Sequence, residues 1–380
     1  MRINLKNGES TSFAKDFPMN ILEIQDTLDR LGQDSSVVNF RISEYENMYL
    51  PKSMCRDFSA DIYRLNLFVH RYESLDYAEQ AVFKGLMERN PGCEIDDMIL
   101  MMYGLKSVPV WQCDDIDELG ETVINGRMID EIRDFDDEKL DMLSRSMVGA
   151  VYQERNGGTI IDGYYCELSA YEKPEINIEF GRPDDCFFRL LIAPVKQNGV
   201  PNYDSAQWIS LPFDEENQDI DFEKMTCVKS ESSLPDLSKN QFQTEKIGEL
   251  NNLAKSLLEF SHDDFVKLKA VMESERIDNI SDTADCISRL SEYQFDRNIA
   301  GSSGFGKAYL LKNLPADFDY AILENTDLCD FGQVILERKQ GEITSYGAIS
   351  GRGQELYSVL TVQPEQELDE DENCEMGMSL

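Results

Sequence analysis

Residues 61–90, DIYRLNLFVHRYESLDYAEQAVFKGLMERN, align without a gap on residues 246–275, KIGELNNLAKSLLEFSHDDFVKLKAVMESE. Ile62, Leu65, Asn66, Lys84, Met87 and Glu88 recur as Ile247, Leu250, Asn251, Lys269, Met272 and Glu273. Each stretch predicts a helical hairpin. Leu65, Phe68 and Tyr72 space one apolar face, matched by Leu250, Leu253 and Leu257. A capping box is expected to open the second helix of each pair, Asp76 with Glu79 and Ser261 with Asp264. That second helix then runs through Phe83 and Met87, or Leu268 and Met272.

A second block repeats more strongly: residues 134–160 align on 317–343 with ten identities. Asp134-Phe135-Asp136 recurs as Asp317-Phe318-Asp319, and Gly149, Val151, Glu154, Arg155, Gly158 and Ile160 recur as Gly332, Val334, Glu337, Arg338, Gly341 and Ile343. Val334-Ile335-Leu336, a turn at Gln340-Gly341 and a short run to Gly347 predict strand–turn–strand here. Offsets of 185 and 183 differ by one small indel. The expectation is an elongated α+β chain of two tandem repeats, 1–168 and 175–363, with a junction at Glu172–Pro174. Each repeat should hold a helical hairpin, an acidic helical middle and small β elements. From Pro364 the chain carries seven acids and no base, which predicts a disordered acidic tail over 364–380.

Charge narrows the function. The 380 residues hold 36 Lys+Arg and 73 Asp+Glu, and 36 − 73 = −37. Residues 1–165 contribute 17 − 31 = −14 and the rest 19 − 42 = −23, so both halves are acidic. Such a charge repels nucleic acid and favours basic partners, at a cost in self-repulsion. With 41% apolar residues the chain can still pack a core. The opening MRINLKNGES predicts no secretion signal, and no apolar run is long enough to span a bilayer, so a cytoplasmic protein of a bacterial host cell is expected. Nine cysteines lack C-x-x-C spacing and read as reduced thiols.

Catalytic constellations are sparse. Gly301-Ser302-Ser303-Gly304-Phe305-Gly306-Lys307 fits the G-x-x-x-x-G-K phosphate-loop pattern, but Ala308 stands where Ser or Thr would hold magnesium. The polar approach EYQFDRNIA also lacks the buried strand that such a loop follows, so a flexible Gly/Ser loop is expected. Only His70 and His262 are available as imidazole bases, and nothing supports Cys55 with His70 as a nucleophile pair. No enzyme activity, cofactor or metal is expected.

The acids themselves are patterned. Over residues 114–141, Ile116, Leu119 and Val123 make one inner face, Asn125-Gly126 is expected to turn the chain, and Met128, Ile129, Ile132 and Phe135 make the next. Asp114, Asp115, Asp117, Glu118, Glu121, Asp130, Glu131, Asp134, Asp136 and Asp137 then fall outside, as candidate partner contacts with Asp96 and Asp97. Asp317, Asp319, Glu324 and Asp327 are the candidates in the second copy. Acids three or four apart on a helix stand about 5–6 Å from each other, near the phosphate spacing along one DNA strand. B-DNA carries one charge per about 1.7 Å, so 37 negatives equal roughly 60 Å of duplex.

These features resemble the ArdA antirestriction family, whose members have about the length of one repeat here. The W-x-x-x-P-like opening stands as Trp208-Ile209-Ser210-Leu211-Pro212 and, degenerately, as Phe17-Pro18. The family's L-N hairpins begin at Leu65-Asn66 and Leu250-Asn251. Its P-x-x-x-x-Y-I-D-Y-like segment is matched by Leu314-Pro315-Ala316-Asp317-Phe318-Asp319-Tyr320-Ala321 with Asp327-Leu328, and in the first copy by Asp134-Phe135-Asp136 alone. The family's Tyr-Gly-Arg-Asp after that segment is absent from both copies. The resemblance implies a non-catalytic DNA mimic that fills the DNA-binding groove of type I restriction-modification enzymes. It also implies a homodimer, for which two tandem copies could substitute as a pseudo-dimer within one chain. The other expectation from charge is an acidic protein that shields a different basic partner, such as another phage-defence complex.

Overall fold

The computed structural model describes residues 1–7, 11–32, 35–44, 58–178, 186–196, 198–213, 220–315, 318, 321 and 327–359. It is a mixed α+β structure. The first half opens with strands β1 (Arg2–Asn7) and β2 (Thr11–Asp16), helix α1 (Ile21–Leu31), and strands β3 (Val37–Glu44) and β4 (Phe58–Asp61), in the antiparallel order β2-β1-β3-β4. The predicted hairpin follows as α2 (Ile62–Glu73) and α3 (Tyr77–Arg89), then α4 (Ile95–Gly104). Leu65, Phe68 and Tyr72 are buried, and the Asp76–Glu79 capping box is closed on both sides. Strand β5 (Val110–Gln112) leads to α5 (Ile116–Gly126), α6 (Asp137–Asp141) and α7 (Arg145–Asn156). A hairpin of β6 (Thr159–Ile161) and β7 (Tyr164–Cys166) pairs back on β5 in the order β5-β7-β6.

The second half starts with β8 (Phe188–Pro194), β9 (Gln207–Leu211) and β10 (Met225–Ser232), ordered β10-β8-β9. Helices α8 (Ile247–Leu257), α9 (His262–Glu275) and α10 (Ile280–Arg289) follow. After β11 (Phe295–Asp296) come α11 (Ser302–Asn313), α12 (Cys329–Arg338) and the hairpin β12 (Glu342–Thr344) with β13 (Gly347–Ile349), ordered β11-β13-β12. Shifted by 185, α2, α3 and α4 fall on α8, α9 and α10; shifted by 183, β6 and β7 fall on β12 and β13. At Ser261 the box is looser, since Asp264 meets the serine hydroxyl rather than its backbone amide.

The Leu-Asn pair that recurs in the sequence makes the same backbone contacts in both halves. The Asn66 side chain accepts from the backbone N–H of Met19 and donates to its carbonyl, at 2.7 and 2.9 Å. Asn251 does the same to Phe213, at 2.8 and 3.1 Å. Met19 and Phe213 each follow a cis proline, Pro18 and Pro212. One amide therefore satisfies two backbone groups at the seam between the sheet and the hairpin.

Three sequence expectations are corrected. Val334-Ile335-Leu336 lies in α12, not in a strand: Ile335 and Leu336 are buried and Val334 is 45% exposed, a helical rather than alternating pattern. Asn125-Gly126 still belongs to α5, and the turn comes at Arg127, which takes the left-handed conformation with φ 50°. Beyond it the chain makes only a short 3-10 turn, Asp130–Ile132, before α6. Finally, residues 302–307 are the start of α11 rather than a flexible loop.

That last correction has a packing cause. Helices α5 and α7 cross at Gly120 and Gly149, and α11 and α12 cross at Gly306 and Gly332. A Cβ at Gly149 would stand 2.2 Å from the Ile116 carbonyl oxygen, and one at Gly332 1.9 Å from that of Ser302. The second of these helix pairs thus needs Gly306, the last glycine of the phosphate-loop-like motif, for close approach and not for a ligand.

The apolar clusters respect the two halves. Buried members of one large cluster run from Ile3 to Leu168 and of the other from Phe188 to Ile349, with a smaller cluster under each α5–α7 or α11–α12 layer.

Candidate partner-binding surface

Helices α5, α6 and α7 form a thin layer over a small core of Leu119, Val123, Ile124, Ile132, Leu140, Val148 and Tyr152. The amphipathic spacing that buries these residues leaves the intervening acids outside. Between Asp114 and Asn156, thirteen carboxylates accompany five cations, 5 − 13 = −8. The equivalent stretch 300–339 has six and four, 4 − 6 = −2, so this layer is markedly acidic in the first half alone.

The ten candidates from this layer do not all do the same work. Asp115 is the N-cap of α5 and accepts from the amides of Asp117 and Glu118, both at 2.9 Å. Glu118 turns back to accept from the Asp114 amide at 2.8 Å. Asp136 caps α6 through the Lys139 amide, and the Lys139 ammonium, 2.8 Å away, holds its carboxyl below the usual range. Glu131 receives a two-pronged contact from Arg155 at 2.9 and 2.7 Å, which lowers its carboxyl to about 2. Glu121 pairs with Arg145, Asp130 with Arg133 and Asp137 with Arg127. Asp114, Asp117 and Asp134 stand exposed. The cations neutralise part of the layer but also pin several of its carboxylates in place.

The remaining candidates separate from this group. Asp96 and Asp97, in the first turn of α4, are half-buried; Asp96 pairs with Arg64, and Asp97 with Lys173 at 2.9 Å. They tie α4 to α2 and to the segment after β7. Asp327 is exposed and accepts from the Cys329 amide at 2.9 Å. Asp317, Asp319 and Glu324 lie outside the described residues, as does Cys55. His70 is exposed on α2. Among the described residues no group of His, Cys, Asp and Glu is arranged to hold a metal ion, and no helix is long and apolar enough to cross a membrane. Cys93, Cys113, Cys166, Cys186, Cys227, Cys286 and Cys329 are free thiols.

A second charged cluster was not singled out by sequence. The apolar face of α1 (Ile24, Leu28, Leu31) enters the first-half core, while Asp26 and Asp29 point the other way. There Lys269 of α9, 1% exposed, donates to Asp29 at 2.7 Å and to Asp26 at 3.2 Å. The Tyr346 hydroxyl donates to Asp26 at 2.7 Å, and His262 Nε2 lies 3.2 Å from Asp29. Arg30 closes the rim, contacting Asp26 at 2.8 Å and Ser345 at 2.6 Å and lying over the Tyr346 ring. Burial alone would raise both aspartates. For Asp26 the charges of Lys269 and Arg30, and for Asp29 the His262 hydrogen bond and Lys269, hold the carboxyls below their ordinary values instead. The available signal was the Asn20-x-x-Glu23 capping box that starts α1.

No protein-family model matches the chain, and no curated protein matches it.

Proposed function

We propose that the protein is a non-catalytic DNA mimic that occupies the DNA-binding groove of a type I restriction-modification enzyme. The carrying observation is the α5–α7 layer, where thirteen carboxylates are displayed on a small apolar core and several are fixed by caps or arginines. Fixed charges suit a groove that binds phosphates, because the ordering cost is met on folding rather than on binding. The resemblance to the ArdA family supports the same target. We further infer that the chain is an elongated pair of tandem copies, 1–168 and 175–363, acting as a pseudo-dimer. The matching element order, the equivalent sheet orders and the two Asn–backbone clamps support that reading. Because the layer at 114–156 carries −8 and its counterpart −2, the first half makes the leading contact.

The testing variant neutralises acids without caps to lose: Asp114→Asn, Asp117→Asn, Asp134→Asn, Asp137→Asn and Glu138→Gln together. Exposed charge pairs contribute about 0–1 kcal/mol each, so the five should weaken inhibition by roughly 2–3 kcal/mol, about 30- to 150-fold. Inhibition of DNA binding by a type I enzyme is the measurement. Full potency in a folded five-fold variant would leave an ordinary solvated face. Inhibition of another defence complex but not of a type I enzyme would transfer the same surface to that basic partner.

A further inference from the structure

The two large apolar clusters draw their buried members from opposite sides of residues 168–188. At α1 the halves meet through the charged cluster of Asp26, Asp29, Arg30, His262, Lys269 and Tyr346. We infer that Asp26 and Asp29, seated on Lys269, form a joint that fixes the first half against the second, and that Lys269 is a positioning residue for the acidic layer. The statement about the layer rests on the partner-binding reading above; the statement about the joint does not.

The geometry is specific. Asp26 and Asp29 are one helical turn apart, so both carboxylates reach a single ammonium, and both are almost fully buried, at 3% and 0% exposure. Lys269 is the duplicate of Lys84, which in the first half is partly exposed and pairs locally with Asp162 across the β6–β7 turn, at 2.8 Å. In the second half the turn position equivalent to Asp162 is Ser345, which contacts Glu273 and Arg30. The local acid has gone, and the acids of α1 take its place. The chain between β9 and β10 is also shorter than that between β2 and β3, 13 residues (212–224) against 20 (17–36). So one lysine position, used locally in the first copy, is used across the halves in the second. A lysine left between two buried carboxylates is worth little to stability compared with an apolar trio, whereas losing one member strands charge. Such an arrangement selects one orientation in preference to others that merely pack.

The test uses the full chain in two forms. Lys269→Met removes the cation alone; Asp26→Asn, Asp29→Asn and Lys269→Met together remove all three charges while keeping shape. Amide hydrogen exchange and small-angle scattering are measured without any target. In the triple variant, amides of α1 and of the β12–β13 turn should exchange at least about tenfold faster, while those of α2, α3 and α8 keep their protection. The scattering curve should broaden from one envelope to a range of extensions. Inhibition of DNA binding by a type I enzyme should fall at least about tenfold although the α5–α7 acids are untouched. Loss of protection throughout Lys269→Met alone would mark misfolding of that variant, and the triple variant then decides. Unchanged exchange and scattering in the triple variant would overturn the joint. Loosened halves with undiminished inhibition would overturn the positioning role, and a wild-type chain that inhibits nothing would overturn the function while leaving the joint standing.

Discussion

Asn66 and Asn251 show what a single residue carries in this fold. Each satisfies both backbone groups of the residue after a proline, and Asn251 is fully buried. Their recurrence was visible in the sequence, but their partners were not, because the bonds run to backbone groups of Met19 and Phe213, which no side-chain identity marks. Removing the amide strands a donor and an acceptor, each costing about 1–3 kcal/mol where water cannot replace it. Asn251→Ala should lose about 2–3 kcal/mol in urea unfolding and Asn66→Ala, which is less buried, a smaller amount; equal stability to wild type in both would remove the clamp from the account. The glycines at the helix crossings make the opposite lesson. Their spacing near Lys307 imitated a phosphate loop, and only the 1.9 Å approach a Gly332 side chain would make to Ser302 reveals a steric requirement. Gly332→Ala should destabilise the second half by about 1–3 kcal/mol through forced separation of α11 and α12.

Among elements, the helical hairpins were legible because both their apolar spacing and their caps are local. Helix α12 was not, since a run of Val-Ile-Leu reads as strand until burial shows which two of the three face inward. Helix α1 was missed for a different reason: Asp26, Asp29 and Arg30 look like surface residues, and their burial depends on a lysine 240 positions away. The joint it makes has a pH signature. His262 is raised from its ordinary value by its hydrogen bond to Asp29, against burial and the nearby charges of Arg297 and Lys269. Its contribution is therefore complete below about pH 6.5 and is lost as pH rises through its folded value. Asp26 and Asp29 are lowered, so their contribution is complete above about pH 4 and is lost as pH falls through their folded values. Asp236, pushed up by burial beside Glu273 and Asp26, adds a proton-binding group on the acid side. Thermal unfolding from pH 4 to 9 should show greatest stability at about pH 4–6.5 on this account, with the decline toward pH 8 reduced in His262→Gln. An identical decline in that variant would remove the imidazole from the joint.

Across the whole molecule, charge has two opposed consequences. A net −37 strains the folded chain by self-repulsion, and on the proposed function the same field would draw in a basic groove. The sequence made the excess of acid plain but gave no view of which carboxylates were spent on caps, pairs or the joint, since those uses depend on partners distant in the chain. Salt separates the two consequences. Screening over a Debye length of about 8 Å at physiological ionic strength should relieve repulsion within the protein while weakening its hold on a target. The most direct measurement is competition between this protein and duplex DNA for a type I restriction-modification enzyme, followed across a salt series with protein stability recorded in parallel. DNA mimicry predicts mutually exclusive binding whose affinity falls steeply as salt rises, while the unbound protein becomes no less stable. Simultaneous binding of DNA and protein, or an affinity indifferent to salt, would contradict it.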